Sequence, residues 1–210
     1  MCLGVLAVIP SAAFASPQLT YPTGTRLATG STLKATNVGV ITVTRTDGTS
    51  GGNCSAASLT GSLVKNNGTE VEANIEAASF TGTGTEGRCT IESMWTGNWK
   101  FTFGIEKGLP WCLVANSLMK EDEFQIRGGK CSETSRPIYL ALDASGGECK
   151  YEAGSFRGTF TTEPSDTVLT VSTPEYPLVS GSFLCPALWR LDFSLTLERD
   201  EAGTHPVYIS

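Results

Sequence analysis

The feature that most constrains the fold is a cysteine frame that occurs twice in this chain of 210 residues. Asp47-Gly-Thr-Ser-Gly-Gly-Asn-Cys54 is followed after 35 residues by Cys89, and Asp143-Ala-Ser-Gly-Gly-Glu-Cys149 is followed after 36 residues by Cys185. An aromatic and basic segment follows each second cysteine, Trp99-Lys-Phe-Thr-Phe103 and Trp189-Arg-Leu-Asp-Phe193. The frame therefore predicts two copies of one disulfide-linked β-module.

The N-terminal segment predicts export. Residues 2–9 form a short apolar run, and Ala13-Phe-Ala15 before Ser16 is typical of a signal-peptide cleavage site. The run is too short to span a bilayer, and no later segment is apolar enough to do so. Residues 1–15 are thus predicted to be a signal peptide, and the mature protein is expected to be secreted, extracellular or in the cell envelope.

The cysteine count agrees with an oxidising compartment. Cys2 leaves with the leader, so six cysteines remain, and six allow fifteen pairings. Equivalent cysteines of a duplicated module pair equivalently. The predicted disulfides are Cys54–Cys89, Cys149–Cys185 and, from the two that remain, Cys112–Cys131.

The residue pattern predicts an all-β fold, because nearly every periodic stretch alternates with a period of two. Strands 57–64 and 71–80 flank Asn66-Asn-Gly68, a strong hairpin signal. Strands are also predicted at residues 38–46, 138–143, 155–162, 167–173 and 191–198. Only residues 116–124 allow a short helical turn.

Two β-repeats follow from these elements. The first is expected at residues 16–105 and the second at residues 106–210, each an antiparallel meander. The segment 104–108 is too short and mixed to be a flexible linker, so the repeats are also compatible with one fused sandwich or barrel.

The residues that look most catalytic lack partners. Gly48-Thr-Ser50-Gly-Gly resembles the setting of a serine protease nucleophile, but that chemistry needs a histidine base and the chain has only His205. The same unit recurs at Ser145, and a fold needs one nucleophile there. Both units are better interpreted as turns, and no catalytic residue is predicted.

The acidic residues do not predict a catalytic pair or a metal site. Glu70, Glu72 and Glu76 share one strand face, which could supply a glycosidase pair but is usually solvated. Asp47 with Asn53, or Asp143 with Glu148, could offer oxygen ligands to calcium, yet the spacing fits no defined loop. We predict no metal and no cofactor.

Aromatic residues supply weak binding candidates. Trp99 and Trp189 occupy equivalent positions and are expected in the core. Trp95 and Tyr176 have no repeat partner and, if exposed, could stack against a sugar ring. These two are the candidate binding residues.

Several segments resemble a group of secreted bacterial proteins with no assigned activity. They are Gly108-Leu-Pro-Trp-Cys112, Glu123-Phe-Gln-Ile-Arg-Gly-Gly129, Gly147-Glu-Cys-Lys-Tyr151 and the ending Leu-Glu-Arg-Asp-Glu-Ala202. The resemblance implies a bacterial exported protein, and it carries over no ligand or catalytic residue.

The expected function is that of an exported, non-enzymatic structural or ligand-binding module. One alternative is a carbohydrate-active or carbohydrate-binding protein, and another is a barrel-type carrier of an apolar molecule. The net charge of −6 argues against a nucleic-acid partner. A cell surface or a glycan is the kind of partner that fits.

Overall fold

The computed structural model describes most of the chain after residue 16. It covers residues 17–44, 52–91, 97–102, 108–120, 122–144, 147–162, 166–172, 175–181, 185, 188–201 and 203–209. For Trp99, Trp189 and His205 only the backbone is described. The predicted signal peptide, Trp95, Ser50 and Ser145 lie outside these residues.

The described chain is built from β-strands joined by short connections, as the period-two pattern predicts. In chain order they are β1 Leu19–Thr20, β2 Thr32–Asn37, β3 Ile41–Thr44, β4 Gly52–Cys54, β5 Ala56–Asn66, β6 Glu70–Thr81, β7 Cys89–Ile91, β8 Gly97–Thr102, β9 Trp111–Asn116, β10 Glu123–Gly128, β11 Ile138–Ala144, β12 Gly147–Ala153, β13 Ser155–Thr162, β14 Thr167–Ser172, β15 Tyr176–Ser180, β16 Leu188–Glu201, β17 Gly203–Pro206 and β18 Tyr208–Ile209. A short 3-10 turn lies at Thr85–Gly87. The described residues contain no helix with the length and hydropathy that a helical membrane span requires.

Eight strands close into an antiparallel barrel, which we call the first barrel. Its strand order is β2, β5, β6, β9, β10, β13, β14 and β16, and β16 pairs back onto β2. Side chains alternate between the interior and the outside, as in β5 and β6, where buried positions recur every second residue over much of their length. Closure pairs every barrel strand on both sides.

A second circuit of pairings, the second ring, shares β16 with the first barrel. It passes through β3, β4, β7, β8, β11, β12 and β15 and returns to β16. Asp192 of β16 marks the change, since it pairs with Ser172 of β14 in the first barrel and with Thr42 of β3 in the second ring. We call this level of the molecule the waist.

One hydrophobic core runs through both rings. At the waist the Trp111 ring contacts Phe156 edge-on at 5.7 Å between centroids, and Phe156 lies 5.9 Å from Tyr176. The first two belong to the first barrel and the third to the second ring. Packing of this kind joins the two rings at the waist.

Each ring takes strands from both halves of the sequence. The first barrel uses β2, β5 and β6 from residues 16–105 and five strands from residues 106–210, and the second ring is mixed in the same way. The predicted halves therefore interlock, and neither closes a barrel from its own strands.

Three disulfides join the cysteines in the predicted pairs, and disulfides are typical of proteins from oxidising compartments. Cys54–Cys89, Cys112–Cys131 and Cys149–Cys185 have Cα–Cα distances of 4.5, 4.8 and 5.7 Å. The first and third lie in or next to the second ring, where β3, β4 and β7 have only three or four residues each. Short strands contribute few ladder hydrogen bonds, so these cross-links stabilise the ring that needs them most.

Both ends of the described chain cover the mouth of the first barrel. This terminal lid consists of residues 17–29 and 206–209, and its strands β1 and β18 pair with each other. Buried Asn66 joins the lid to the barrel. Its Oδ1 accepts from the Leu19 backbone N at 3.0 Å, and its Nδ2 donates to the carbonyls of Leu19 and Leu27 at 2.8 and 3.0 Å.

Two local predictions need correction. Residues 38–46 do not form one strand, because the chain leaves the sheet after Asn37 and returns at Ile41, with Gly39 at φ +73°. The second segment is described at residues 116–120 and 122–124, and these contain no helical turn. They form the tight connection of the β9–β10 hairpin, in which the Asn116 side chain accepts from the Leu118 backbone N at 3.0 Å.

The β5–β6 pair requires glycine at one position. The register shifts between Thr60 and Gly61, and a Cβ on Gly61 would overlap the backbone carbonyl of Asn74. Since backbone cannot yield as a side chain can, we expect Gly61→Ala to lower the free energy of unfolding by about 2–3 kcal/mol in urea denaturation. Gly154→Ala is the control, because a Cβ there meets nothing within 4 Å. Equal effects of the two substitutions would show that the close approach is unimportant.

Candidate functional site

The strongest candidate site is an open groove of about 430 Å³ on the outside of the waist. We call it the waist groove. Its lining residues come from the β2–β3 connection, β3, β14 and β16, and are Val38, Val40, Thr42, Thr170, Val171, Ser172, Asp192, Phe193 and Ser194. It forms where the chain passes from one ring to the other.

Two valines on one side of the groove are held out to solvent. Val38 is 50% exposed and Val40 is 64% exposed. The side chain of Asn37 fixes their loop, because its Nδ2 donates to the carbonyls of Gly39 and Ser55 at 2.6 and 3.1 Å. The loop thus presents apolar side chains from an ordered backbone.

The opposite side of the groove carries two polar rows across the strands. In one row Thr42, Asp192 and Ser172 are direct neighbours, and Ser172 Oγ donates to Asp192 Oδ1 at 2.8 Å. In the other row Thr170 and Ser194 face each other, with 3.1 Å between their hydroxyl oxygens. Neighbouring strands lie about 5 Å apart, so the rows form a grid of hydroxyls around one carboxylate.

The charge of the groove is low. Asp192 is the only charged residue among the described lining residues. Arg190, two residues earlier on the same strand face, is exposed and provides a nearby positive charge. The arrangement is therefore close to neutral, and it offers hydrogen-bond donors and acceptors beside an apolar wall.

The predicted binding residue Tyr176 does not line this groove. Tyr176 is only 1% exposed and packs against Phe156, so its ring cannot stack on a sugar. Burial also raises the pKa of Tyr176 well above the ordinary value for tyrosine. The other candidate, Trp95, lies outside the described residues.

The candidate carboxylates lie on the outer face of β6. Glu70 contacts Lys65, and this hydrogen bond raises the pKa of Lys65. Glu76 accepts from Ser62 Oγ at 3.1 Å, and Glu72 is half-buried on the same face. None of these three side chains lines the waist groove.

Of the candidate calcium ligands, the side chain of Asp143 lies outside the part of the structure that is described. Glu148 pairs with Lys150 at 3.1 Å, and Asp47 lies outside the described residues. Among the described residues, no three histidine, cysteine or acidic side chains group together.

The interior of the first barrel holds a small apolar cavity of about 50 Å³. A carrier of a drug-sized molecule needs about 300 Å³ or more. The barrel interior is otherwise filled by side chains, for example Phe124 and Phe160, whose ring centroids are 4.7 Å apart.

The sequence did not predict the waist groove, because its lining residues are of types that are common in any strand. One available signal was Asn37-Val-Gly-Val40, where asparagine and glycine interrupt a β-branched run. The pairing of β16 with strands from both rings carries no sequence signal.

Comparison with known proteins identifies no relative. No family model matches the chain, and neither a curated protein nor a solved structure matches it.

Proposed function

We propose that this protein is an exported bacterial binding module that holds a neutral carbohydrate in the waist groove without transforming it. The observation that carries the proposal is the grid of hydroxyls around Asp192 facing the ordered valines 38 and 40. Sugars present both hydroxyl groups and apolar C–H faces, so they need both kinds of surface in one groove.

The apolar side of the groove, formed by Val38 and Val40, indicates that a ligand covers it. Val38 and Val40 are large apolar side chains that the fold exposes on a fixed loop. By comparison, Leu118 is 94% exposed at the tip of the β9–β10 hairpin but lies outside the groove. A single exposed apolar residue is common, whereas paired ones beside a polar grid suit binding.

The charges favour a neutral ligand. Nucleic acids and acidic polysaccharides would meet the Asp192 carboxylate in the groove, and the chain carries a net charge of −6. The carboxylate can accept hydrogen bonds from sugar hydroxyls beyond the one from Ser172.

The closed barrel argues against an extended peptide as the ligand. Peptides commonly add to the free edge of a sheet, where main-chain groups lack partners. On the first-barrel side of the groove, β14 pairs with β13 and β16, and β16 pairs with β14 and β2. That wall therefore offers side chains and no strand edge.

Binding without catalysis is favoured because glycoside hydrolysis requires two carboxyl groups across the scissile bond. The described lining of the groove supplies one, Asp192. A sugar in the groove can therefore hydrogen-bond to Asp192, but the described lining offers no second carboxyl group to act as acid or base.

We also propose that the chain arose by duplication of one β-module. Corresponding strands pair in corresponding ways, since β3–β4 ends at Cys54 as β11–β12 contains Cys149. Likewise, β2–β5 and β5–β6 in the first half parallel β10–β13 and β13–β14 in the second.

Isothermal titration with neutral oligosaccharides of glucose, N-acetylglucosamine and mannose tests the binding proposal. We expect one of these series to bind, and Asp192→Ala to weaken that binding roughly 10- to 100-fold, as the loss of a charged hydrogen-bond acceptor predicts. Glu198→Ala, on the same strand face but outside the groove, should change affinity less than about twofold. Failure of every series to bind, or equal losses in both variants, would refute the proposal.

A further inference from the structure

A second site lies inside the first barrel, directly beneath the terminal lid. The cavity of about 50 Å³ is lined by side chains of most barrel strands and by Leu19 of the lid. Small residues leave this space open, because Ala35 and Ala73 face the interior between larger neighbours. The cavity is several times the roughly 10–15 Å³ that one water molecule needs.

The lining determines what the cavity can hold. Its buried side chains are almost all aliphatic or phenylalanine, among them Val71, Phe124, Phe160 and Leu195. A water molecule needs two to four polar partners, which such walls do not provide, and apolar cavities of this kind bind small apolar molecules instead.

The lid is held by few backbone pairs, while its Leu19, Leu27 and Val207 side chains are buried in the core. Strands β1 and β18 share only two residue pairs, and Pro206 adds one pair with Glu198 of β16. Besides the three Asn66 bonds, Thr167 Oγ1 accepts from the Ile209 N at 3.2 Å, and Arg199 donates to the Tyr21 hydroxyl. By contrast, β5 and β6 share a ladder of ten residue pairs.

Because of this difference, the lid can open at a lower free energy than the barrel. Segments with few contacts open locally, while long ladders open only in global unfolding. Leu19 is both a lid residue and a cavity-lining residue, so lid opening uncovers the cavity directly.

We infer that the first barrel is a lidded binding site for one small uncharged apolar molecule, which enters when residues 17–29 lift away. The closed cavity accepts a molecule of a few heavy atoms, and a larger ring requires displacement of Leu19. This site is separate from the waist groove, and it does not depend on the carbohydrate proposal.

Xenon is the probe for this site, followed through the methyl resonances of the protein at increasing xenon pressure. We expect saturable shifts confined to methyls that line the cavity, such as those of Ala35, Ala73 and Leu195. Ala73→Leu fills the space and should reduce these shifts at least tenfold. Ala77→Leu, on the exposed side of β6, should leave them unchanged.

Leu19→Phe provides a second filling variant that leaves the barrel strands intact, should Ala73→Leu fail to fold. It should also abolish the shifts. Asn66→Ala should instead accelerate xenon exchange, because it removes three lid contacts. Shifts that rise linearly without saturation, or that persist in both filling variants, would overturn the inference.

Discussion

Replacing Cys54 and Cys89 together by alanine is expected to lower the free energy of unfolding by about 3–4 kcal/mol. The disulfide closes a loop of 35 residues, and cross-links of this span stabilise by about that amount in the chain-entropy model. The loss should be local. The disulfide joins β4 to β7, which otherwise share two residue pairs. We therefore expect hydrogen exchange to accelerate in residues 41–44, 52–54 and 89–91 well before it does in the first barrel.

The matched control is replacement of Cys112 and Cys131, whose disulfide closes a loop of 19 residues at the first barrel. Cys112 lies on β9, which shares four residue pairs with β10. Both strands pack on the core, so their hydrogen exchange should stay slow in this control. Uniform acceleration across both rings in the Cys54/Cys89 variant would contradict a separate role for this disulfide in the second ring.

Asn66→Ala is expected to destabilise the protein by about 3–5 kcal/mol in urea denaturation. The substitution leaves the Leu19 N–H and the Leu27 carbonyl without a partner, while the Leu19 carbonyl still accepts from the Leu27 N at 2.9 Å. Each buried unsatisfied group costs about 1–3 kcal/mol. Water can hydrogen-bond these groups when the lid opens, so the expected loss of stability stays below the sum of the largest costs for the individual groups.

Thr161→Ala serves as the control at the same rim of the barrel, because its side chain is exposed on β13. It should change stability by less than about 0.5 kcal/mol. If Asn66→Ala is equally mild, the lid is not held by this side chain.

Much of the local structure could be predicted because its causes are local. The alternation of Leu191, Phe193, Leu195 and Leu197 with polar residues places four buried side chains on one face of β16. Asn66-Asn-Gly68 forms a hairpin turn with Gly68 at φ +87°, as its chemistry favours. The doubled cysteine frame predicts the same three disulfides that the structure contains.

The arrangement of the strands could not be predicted from local patterns. Each half of the chain has enough strands for its own module, yet β16 pairs with strands from both halves. The pairing of β16 with β2 joins residues as far apart in sequence as Leu195 and Asn37, and a period of two does not specify the partner strand.

The site was missed for a related reason. Tyr176 was a plausible surface aromatic by sequence, but β15 turns it toward Phe156 and the core at the waist. Conversely, Ser172 and Ser194 are unremarkable until β14 and β16 align them beside Thr170 and Asp192. The waist groove is thus a product of strand register.

In the proposed function, the waist groove is a binding surface on a β-fold that three disulfides cross-link. Its walls belong to strands paired on both sides and to a loop fixed by Asn37, so the groove keeps its shape when empty. Preorganisation of this kind reduces the entropy cost of binding, which matters for sugars because each individual contact is weak.

Carbohydrate binding in the waist groove is tested most directly by titrating the isotope-labelled protein with neutral oligosaccharides of glucose, N-acetylglucosamine and mannose. The titration is followed through the backbone amide resonances of the protein. We predict saturable shifts in residues 38–42, 170–172 and 192–194, which line or adjoin the waist groove. Absence of shifts with every neutral oligosaccharide, or shifts confined to surfaces away from these residues, would contradict this prediction.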